Sequence, residues 1–314
     1  MDCLEMIRSL EGPLPEFIVP EGYTIVSINE DNGHLWEQVM DVTWGGHKHR
    51  PGDFRYVFVS NIAYEEDRVF ALLDESGRAV ATAAIVDYKV SDWNYEYDPL
   101  LAFVGVPESC RGHGFARFIS LHCLQEMKKL GYSAAHVDIG WTEDGKDNIP
   151  ATKTYINCGF EPYIVDQRQE KVWRTLYERL SIPCPTFHYA EKGKPGIGDL
   201  LKLRPPLRPS PYQVRCAAEA LAAGDTYIFG KWDRHNLYLV NPDRYIQLKP
   251  LLKQSDAYED IVKWIMKKRV KAIYIDRPRN PQALLAVLKN KKHIRIGTSD
   301  DERFERGVEA YLKA

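Results

Sequence analysis

A chain of 314 residues exceeds the usual size of one compact domain, so its length favours two units, each burying its own core. With 44% hydrophobic and 27% charged residues, the composition excludes a disordered chain. The formal net charge of -2 hides an asymmetry: residues 1 to 185 hold 17 Lys and Arg against 29 Asp and Glu, and residues 186 to 314 hold 25 against 15, which gives -12 and +10. In chain order, residues 23 to 28 read as a strand and 32 to 42 as a helix with Leu35, Val39 and Val42 on one face. Strands over 69 to 74 and 80 to 88 flank Glu75-Ser76-Gly77-Arg78, whose glycine suits a hairpin turn, so they should pair antiparallel. The apolar run 100 to 106 fits a buried central strand. It leads into a glycine-bearing loop and then a helix that ends near Leu130, buries Leu121, Leu124 and Met127, and stops at Gly131. A strand over 134 to 141, a short helix over 151 to 159 and a last element over 171 to 180 complete this half.

Seven prolines and three glycines between Ile182 and Pro211 mark a linker. It divides a first domain, 1–181, from a second, 212–314. After the linker, 212 to 224 reads as a helix, and 226 to 231 with 236 to 241 as a hairpin across Asp233-Arg234-His235. A helix capped by Ser255 should run to about Lys268, followed by a strand at 271 to 276, a helix from Pro281 to Lys289, a strand at 293 to 297 and a helix from Asp300 to Leu312. That alternation predicts a small α/β unit of three to four strands, parallel where helices intervene.

No apolar run approaches the roughly 18 residues that a membrane span needs, and the first residues lack the basic and apolar segments of a secretory signal. A cytoplasmic protein with no membrane partner is the expectation. The six cysteines are scattered without CxxC pairs, so neither a zinc site nor a disulfide framework is indicated and no metal is expected.

The most informative segment is the strand 100 to 106 followed by Arg111, Gly112, His113, Gly114, Phe115 and Ala116 at a helix start. Free backbone N–H groups and the helix dipole make such a place an anion site, glycines let a pyrophosphate approach the main chain, and Arg111 adds charge. Arg111, Gly114 and Ala116 reproduce the Q/R-x-x-G-x-G/A loop of the GNAT acetyltransferase superfamily, which this sequence therefore resembles. Asn148, Ala151, Tyr155, Gly159 and Phe160 look like that family's N-x-x-A-x-x-x-Y-x-x-x-G-F helix and turn. The resemblance covers about residues 20 to 180 and leaves the second domain unmatched.

The resemblance implies an α/β (α+β) fold whose mixed sheet splays after residues 100 to 106. Acetyl-CoA or another acyl-CoA would bind as co-substrate, with pantetheine along the main chain of Val104, Gly105 and Val106. Arg111 to Ala116 would hold its pyrophosphate, and Asn148 would touch it from the opposite lip. Tyr155 stands where the family has a general acid for the leaving thiolate. Asp98, at the mouth of the central strand, is the candidate base, with Glu108 and Asp138 as fallbacks.

The family lines its acceptor site with segments that correspond here to Trp44, His47 and His49 and to Trp93, Tyr95 and Tyr97. The aromatic and acidic residues of 91 to 99 suit a cationic amine, a small molecule or a lysine. The basic clusters at 267–271, 277–279 and 289–295 suit either a nucleic acid or a dock for the acidic first domain. Transfer of an acyl group to a primary amine is the leading expectation. Modification of a nucleic acid or nucleotide, and a non-catalytic CoA-binding scaffold, are the alternatives.

Overall fold

The computed structural model describes residues 3–43, 53–60, 64–86, 98–140, 149–191, 209–256 and 258–313. It divides into two compact units, 1–49 with 66–206 and 50–65 with 207–314. Each unit has its own sheet.

The first unit is an eight-stranded mixed sheet with helices packed on it. Its strands are β1 (Cys3–Ser9), β2 (Thr24–Ser27), β3 (Val69–Leu73), β4 (Ala79–Val86), β5 (Leu100–Gly105), β6 (Ala134–Gly140), β7 (Glu161–Ile164) and β8 (His188–Tyr189), in the spatial order β2-β3-β4-β5-β6-β1-β7-β8. The expected hairpin joins β3 to β4, with Gly77 N–H donating to Asp74 O at 2.8 Å. Helices α2 (Phe115–Lys129), α3 (Ile149–Asn157) and α4 (Arg168–Leu180) bury Ile119, Leu121, Leu124, Met127, Tyr155 and Trp173 in one core with Leu4, Met6, Ala81, Ala83, Val137 and Ile139 of the sheet. Burying several such side chains at about 1.5 to 3 kcal/mol each is what holds this layer together.

Helix α1 (His34–Thr43) buries Trp36, Val39 and Met40, with Thr82 Oγ1 3.8 Å from Met40 Sδ. The sequence had placed Leu35, Val39 and Val42 on the inner face. Spacings of three and four from Trp36 select Val39 and Met40 instead, and Val42 is 57% exposed.

Strand β1 has no counterpart in the sequence reading, and neither do β7 and β8. β1 lies between β6 and β7, antiparallel to both. Phe187 packs into the first unit's core, and His188 and Tyr189 pair with Tyr163 and Ile164, so the chain after Ile182 first completes this sheet. The linker's central part, 192–208, lies outside the described residues.

The second unit is a five-stranded antiparallel sheet of order β13-β12-β11-β10-β9, built from β9 (Gly230–Trp232), β10 (Tyr238–Val240), β11 (Val270–Ile275), β12 (Leu284–Leu288) and β13 (His293–Ile296). Its helices are α5 (Pro211–Ala222), α6 (Lys249–Leu252), α7 (Tyr258–Met266) and α8 (Glu302–Lys313), the last placing Phe304 and Val308 against Leu237, Tyr274 and Leu285. Two expectations are corrected here. Residues 284 to 288 form a strand, not a helix, because all five are buried and pair on both edges. The sheet is antiparallel throughout, since the helices between β10 and β11 do not carry the chain across it as a parallel crossover would.

Residues 53 to 60, expected within the first domain, belong to the second unit. Ser60 Oγ donates to the carbonyl of Trp232 (3.2 Å) and accepts from its N–H (2.7 Å). Arg55 lies 4.5 Å from the Trp232 ring centre and 3.8 Å from the Asp301 carboxylate.

Candidate active site

The loop expected to bind an anion is formed by local requirements. After β5, a single 3-10 turn (Glu108–Cys110) is closed by Cys110 N–H to Pro107 O at 2.8 Å. Cys110 is buried, while Arg111, Gly112, His113 and Gly114 are exposed. Gly112 and Gly114 have φ of 85° and 79°, a region that other residues enter at a cost. A Cβ at Gly112 would meet no atom within 4 Å, and one at Gly114 would make ordinary contact with Phe118 Cε2 at 3.6 Å, so the space at the rim is open beside Gly112. Phe115 then turns into the core against Tyr23, 5.0 Å between ring centres, and α2 begins.

No side chain caps α2, and its first backward bond is Phe118 N–H to Gly114 O. The N–H groups of Phe115, Ala116 and Arg117 thus face out of the helix start with no partner among the described residues, at the positive end of the dipole. His113 stacks on Phe115 with its Nδ1 3.1 Å from Arg111 O, which fixes the ring beside the loop. Arg111 Nε donates to Val106 O at 3.4 Å.

The sheet opens next to this loop. β5 and β6 pair in parallel only at Leu100 with His136 and Leu101 with Val137, while β6 continues to Gly140 along β1. The separation therefore begins after Leu101, inside the strand, and not after residue 106 as expected. Along its other edge β5 stays on β4, but Phe103 and Val104 are accommodated by a bulge, with Phe103 at φ 52°. From Ala102 to Gly105, no strand among those described pairs with the edge that faces β6. Val104, Gly105 and Val106 lie on or just past this edge.

Tyr155 sits on α3, 8% exposed, with its ring edge-on to Phe160. Burial pushes its phenol above the usual tyrosine range, and the charge of Asp138 and the Cys158 thiol push the same way. No described residue hydrogen-bonds this phenol. Asp138 is thereby tied electrostatically to Tyr155 and stands on the part of β6 that lies beyond its pairing with β5.

Register determines the face on which Asp138 lies. Glu5 of β1 is directly opposite both Asp138 and Tyr163, so the three form a row across β6, β1 and β7. Their neighbours Leu4, Met6, Val137 and Ile139 belong to the helix-covered core, which places the row on the other face. His136 shares that face, with its ring 4.9 Å from the Tyr163 ring centre and Nε2 3.7 Å from Asp98 Oδ2. Burial raises the Tyr163 phenol, and Glu5, Glu191 and Asp98 raise it further. Glu5 and His136 are only 2% and 1% exposed.

Asp138 thus stands where β6 runs on past its pairing with β5, Asp98 lies beside His136 at the paired start of β5, and Tyr155 is linked to Asp138 by charge; the structure adds Glu5, His136 and Tyr163, which the sequence reading does not single out. A polar residue between two core residues of a strand was the available signal. Glu108 is exposed on the 3-10 turn. Trp44, His47, His49, Trp93, Tyr95, Tyr97 and Asn148 lie outside the described residues. Among the described residues no cluster of three metal-ligating side chains occurs, and no helix is long and apolar enough to cross a membrane.

The chain matches no protein-family model and no curated protein. Solved structures to which it is similar include a GCN5-related N-acetyltransferase from Sphaerobacter thermophilus, at 15% identity and a TM-score of 0.40, covering 51% of this chain and 48% of that one. Another, from Kribbella flavida, has 19% identity, a TM-score of 0.35 and coverage of 51% and 54%. A GNAT-family acetyltransferase from Staphylococcus aureus has 13% identity, a TM-score of 0.30 and coverage of 43% and 81%. The chain spans about half the length of the first two.

Proposed function

We propose that the first unit is an N-acyltransferase that moves an acetyl or related acyl group from acyl-CoA to a primary amine in a ternary complex. The observation that carries this reading is the opening between β5 and β6 beside an uncapped helix start. An extended pantetheine can add to the strand edge at Val104, Gly105 and Val106 as a further strand would. Its pyrophosphate fits the open rim of Arg111, Gly112, His113, Gly114, Phe115 and Ala116, where Gly112 leaves room and N–H groups point outward. Asn148 is assigned to the opposite lip by the sequence resemblance. The co-substrate supplies an activated acyl group, and the protein's task is to orient it and to move protons.

Two groups divide the proton work. Tyr155 keeps its proton well above neutral pH, because burial and the Asp138 charge oppose ionisation, so it can protonate the departing thiolate. Asp98 takes the proton that the acceptor ammonium must lose before it can attack. His136, 3.7 Å away, holds that carboxylate in position. The acidic row of Glu5 and Asp138 favours a cationic acceptor approaching from the same face of the sheet. Trp44, His47, His49, Trp93, Tyr95 and Tyr97 complete the acceptor side in this proposal.

The test is release of free thiol from acetyl-CoA in the presence of polyamines, amino acids, aminoglycosides or lysine peptides. Release that depends on one amine class is the expected result. Saturable acyl-CoA binding without release from any amine would refute transfer and leave a CoA-binding protein.

A further inference from the structure

The second unit carries a charged surface that acyl transfer does not use. Lys268, Arg269 and Lys271 follow α7, Lys289, Lys291 and Lys292 follow β12, and all six are exposed. The sheet brings the two groups together, since Val270 pairs with Leu288 and Lys289 N–H donates to Arg269 O at 2.9 Å. The six residues therefore occupy one end of the sheet. None of them makes an ion pair among the described residues. The acidic residues of α7, Glu259 and Asp260, lie in its first turn, far from Lys268 along the helix. Arg295, further along β13, is already paired with Glu305.

Two of these lysines occupy positions that the backbone would assign to glycine. Lys268 has φ 52° and closes α7, with its N–H bonded to Ile265 O (2.9 Å) and that of Arg269 to Trp264 O (2.8 Å). This is the helix-ending motif whose left-handed residue is most often Gly. Lys291 has φ 67° in the loop 289–292 between β12 and β13, where the left-handed position again favours Gly. Neither side chain makes a hydrogen bond or ion pair among the described residues that would offset the strain. Positive charge is thus kept at two strained positions on the same end of one sheet, and the acid that β10 delivers toward this end, Asp243, is paired with Arg244.

We propose that this end of the second unit binds the phosphate backbone of a nucleic acid. Closely spaced cations that make no ion pair among the described residues match a run of phosphates and draw affinity from counterion release. All six are lysine or arginine, whose charge matches phosphate, so the contact is to the backbone and independent of base sequence. A lipid surface fits less well. Met266, 77% exposed, is the large apolar side chain beside the cations, whereas a membrane-binding face needs a wider apolar stripe.

The experiment uses the full chain with a fluorescein-labelled DNA duplex, a single-stranded RNA of equal length and phosphatidylserine vesicles, over a salt series. Wild type should bind the nucleic acids with an affinity that falls steeply with salt. A Lys268→Gly, Lys291→Gly double variant should bind at least roughly tenfold more weakly at about 0.1 M salt, and its slope against log salt on the duplex should be smaller by about 2, close to 0.9 per phosphate contact. Its melting temperature should be equal or higher, because glycine suits both backbone conformations. Nucleic-acid binding that is absent even at low salt, or that the double variant retains unchanged, would overturn the proposal. So would a lower melting temperature of that variant, or binding to the vesicles in place of nucleic acid.

Discussion

Replacing Tyr155 by Phe isolates one atom. The phenol has no hydrogen-bond partner among the described residues, and a phenylalanine keeps the edge-on contact with Phe160 and the packing of α3. The fold should therefore change by less than about 0.5 kcal/mol, which leaves the melting temperature within a few degrees of wild type. Acyl-CoA affinity should also be preserved, because the loop and the strand edge are untouched. Turnover should not, since a positioned general acid contributes roughly 10²- to 10⁴-fold, or about 3 to 5 kcal/mol of barrier. The assay is thiol release at saturating acyl-CoA and amine, with calorimetric titration of CoA on the same preparations. A variant that binds CoA normally and turns over at the wild-type rate would remove Tyr155 from the chemistry.

Gly114→Ala forces a methyl-bearing residue into φ 79°, with Phe118 Cε2 at 3.6 Å as its nearest neighbour, so the cost is backbone strain of about 1 to 2 kcal/mol and not a clash. Calorimetry should show at least roughly tenfold weaker acyl-CoA binding, about 1.4 kcal/mol, in a protein that still melts cooperatively. Asp138→Asn removes a charge that raises the Tyr155 phenol, so the alkaline limb of the pH-rate profile should move to lower pH; an unmoved limb would dissociate the two groups. The fold's resistance to ionising Tyr155 is stability present below the ordinary tyrosine range and lost as pH rises through its elevated value, so this substitution, by lowering that value, should end the loss at a lower pH and make it smaller. Ser60→Ala strips both hydrogen bonds from the buried Trp232 main chain, and a thermal melt should register a loss of about 1 to 3 kcal/mol.

Elements made by neighbours in sequence were legible, and those made by distant partners were not. The run from Leu100 through α2 announces itself, because five apolar residues in six, two glycines and a 3.6-residue periodicity are all local signals. β1 has a plain alternation of Leu4 and Met6 with Glu5, yet it becomes a strand by pairing with β6 some 130 residues later, and nothing nearby indicates that partner. Residues 284 to 288 are apolar on every side, so their periodicity fits a buried strand and a buried helix equally. The segment around Ser60 was assigned by its place in the chain, but its partner Trp232 is 172 residues away.

The same division runs through the candidate site. Gly112 and Gly114 could be found because a positive φ is a requirement of single residues, and a helix start follows from them at once. The polar face is different, since Glu5, Asp98, His136 and Tyr163 come from β1, the lead into β5, β6 and β7. They meet only when register aligns Glu5 with Asp138 and Tyr163. A shift of one residue in β1 would turn Glu5 into the helix-covered core and Leu4 or Met6 onto the polar face, an exchange that burial forbids. The apolar alternation that locks β1 in place is therefore also what fixes a carboxylate opposite Asp138 and Tyr163, so core packing of the N-terminal strand and the electrostatics felt by Tyr163 are set by one register.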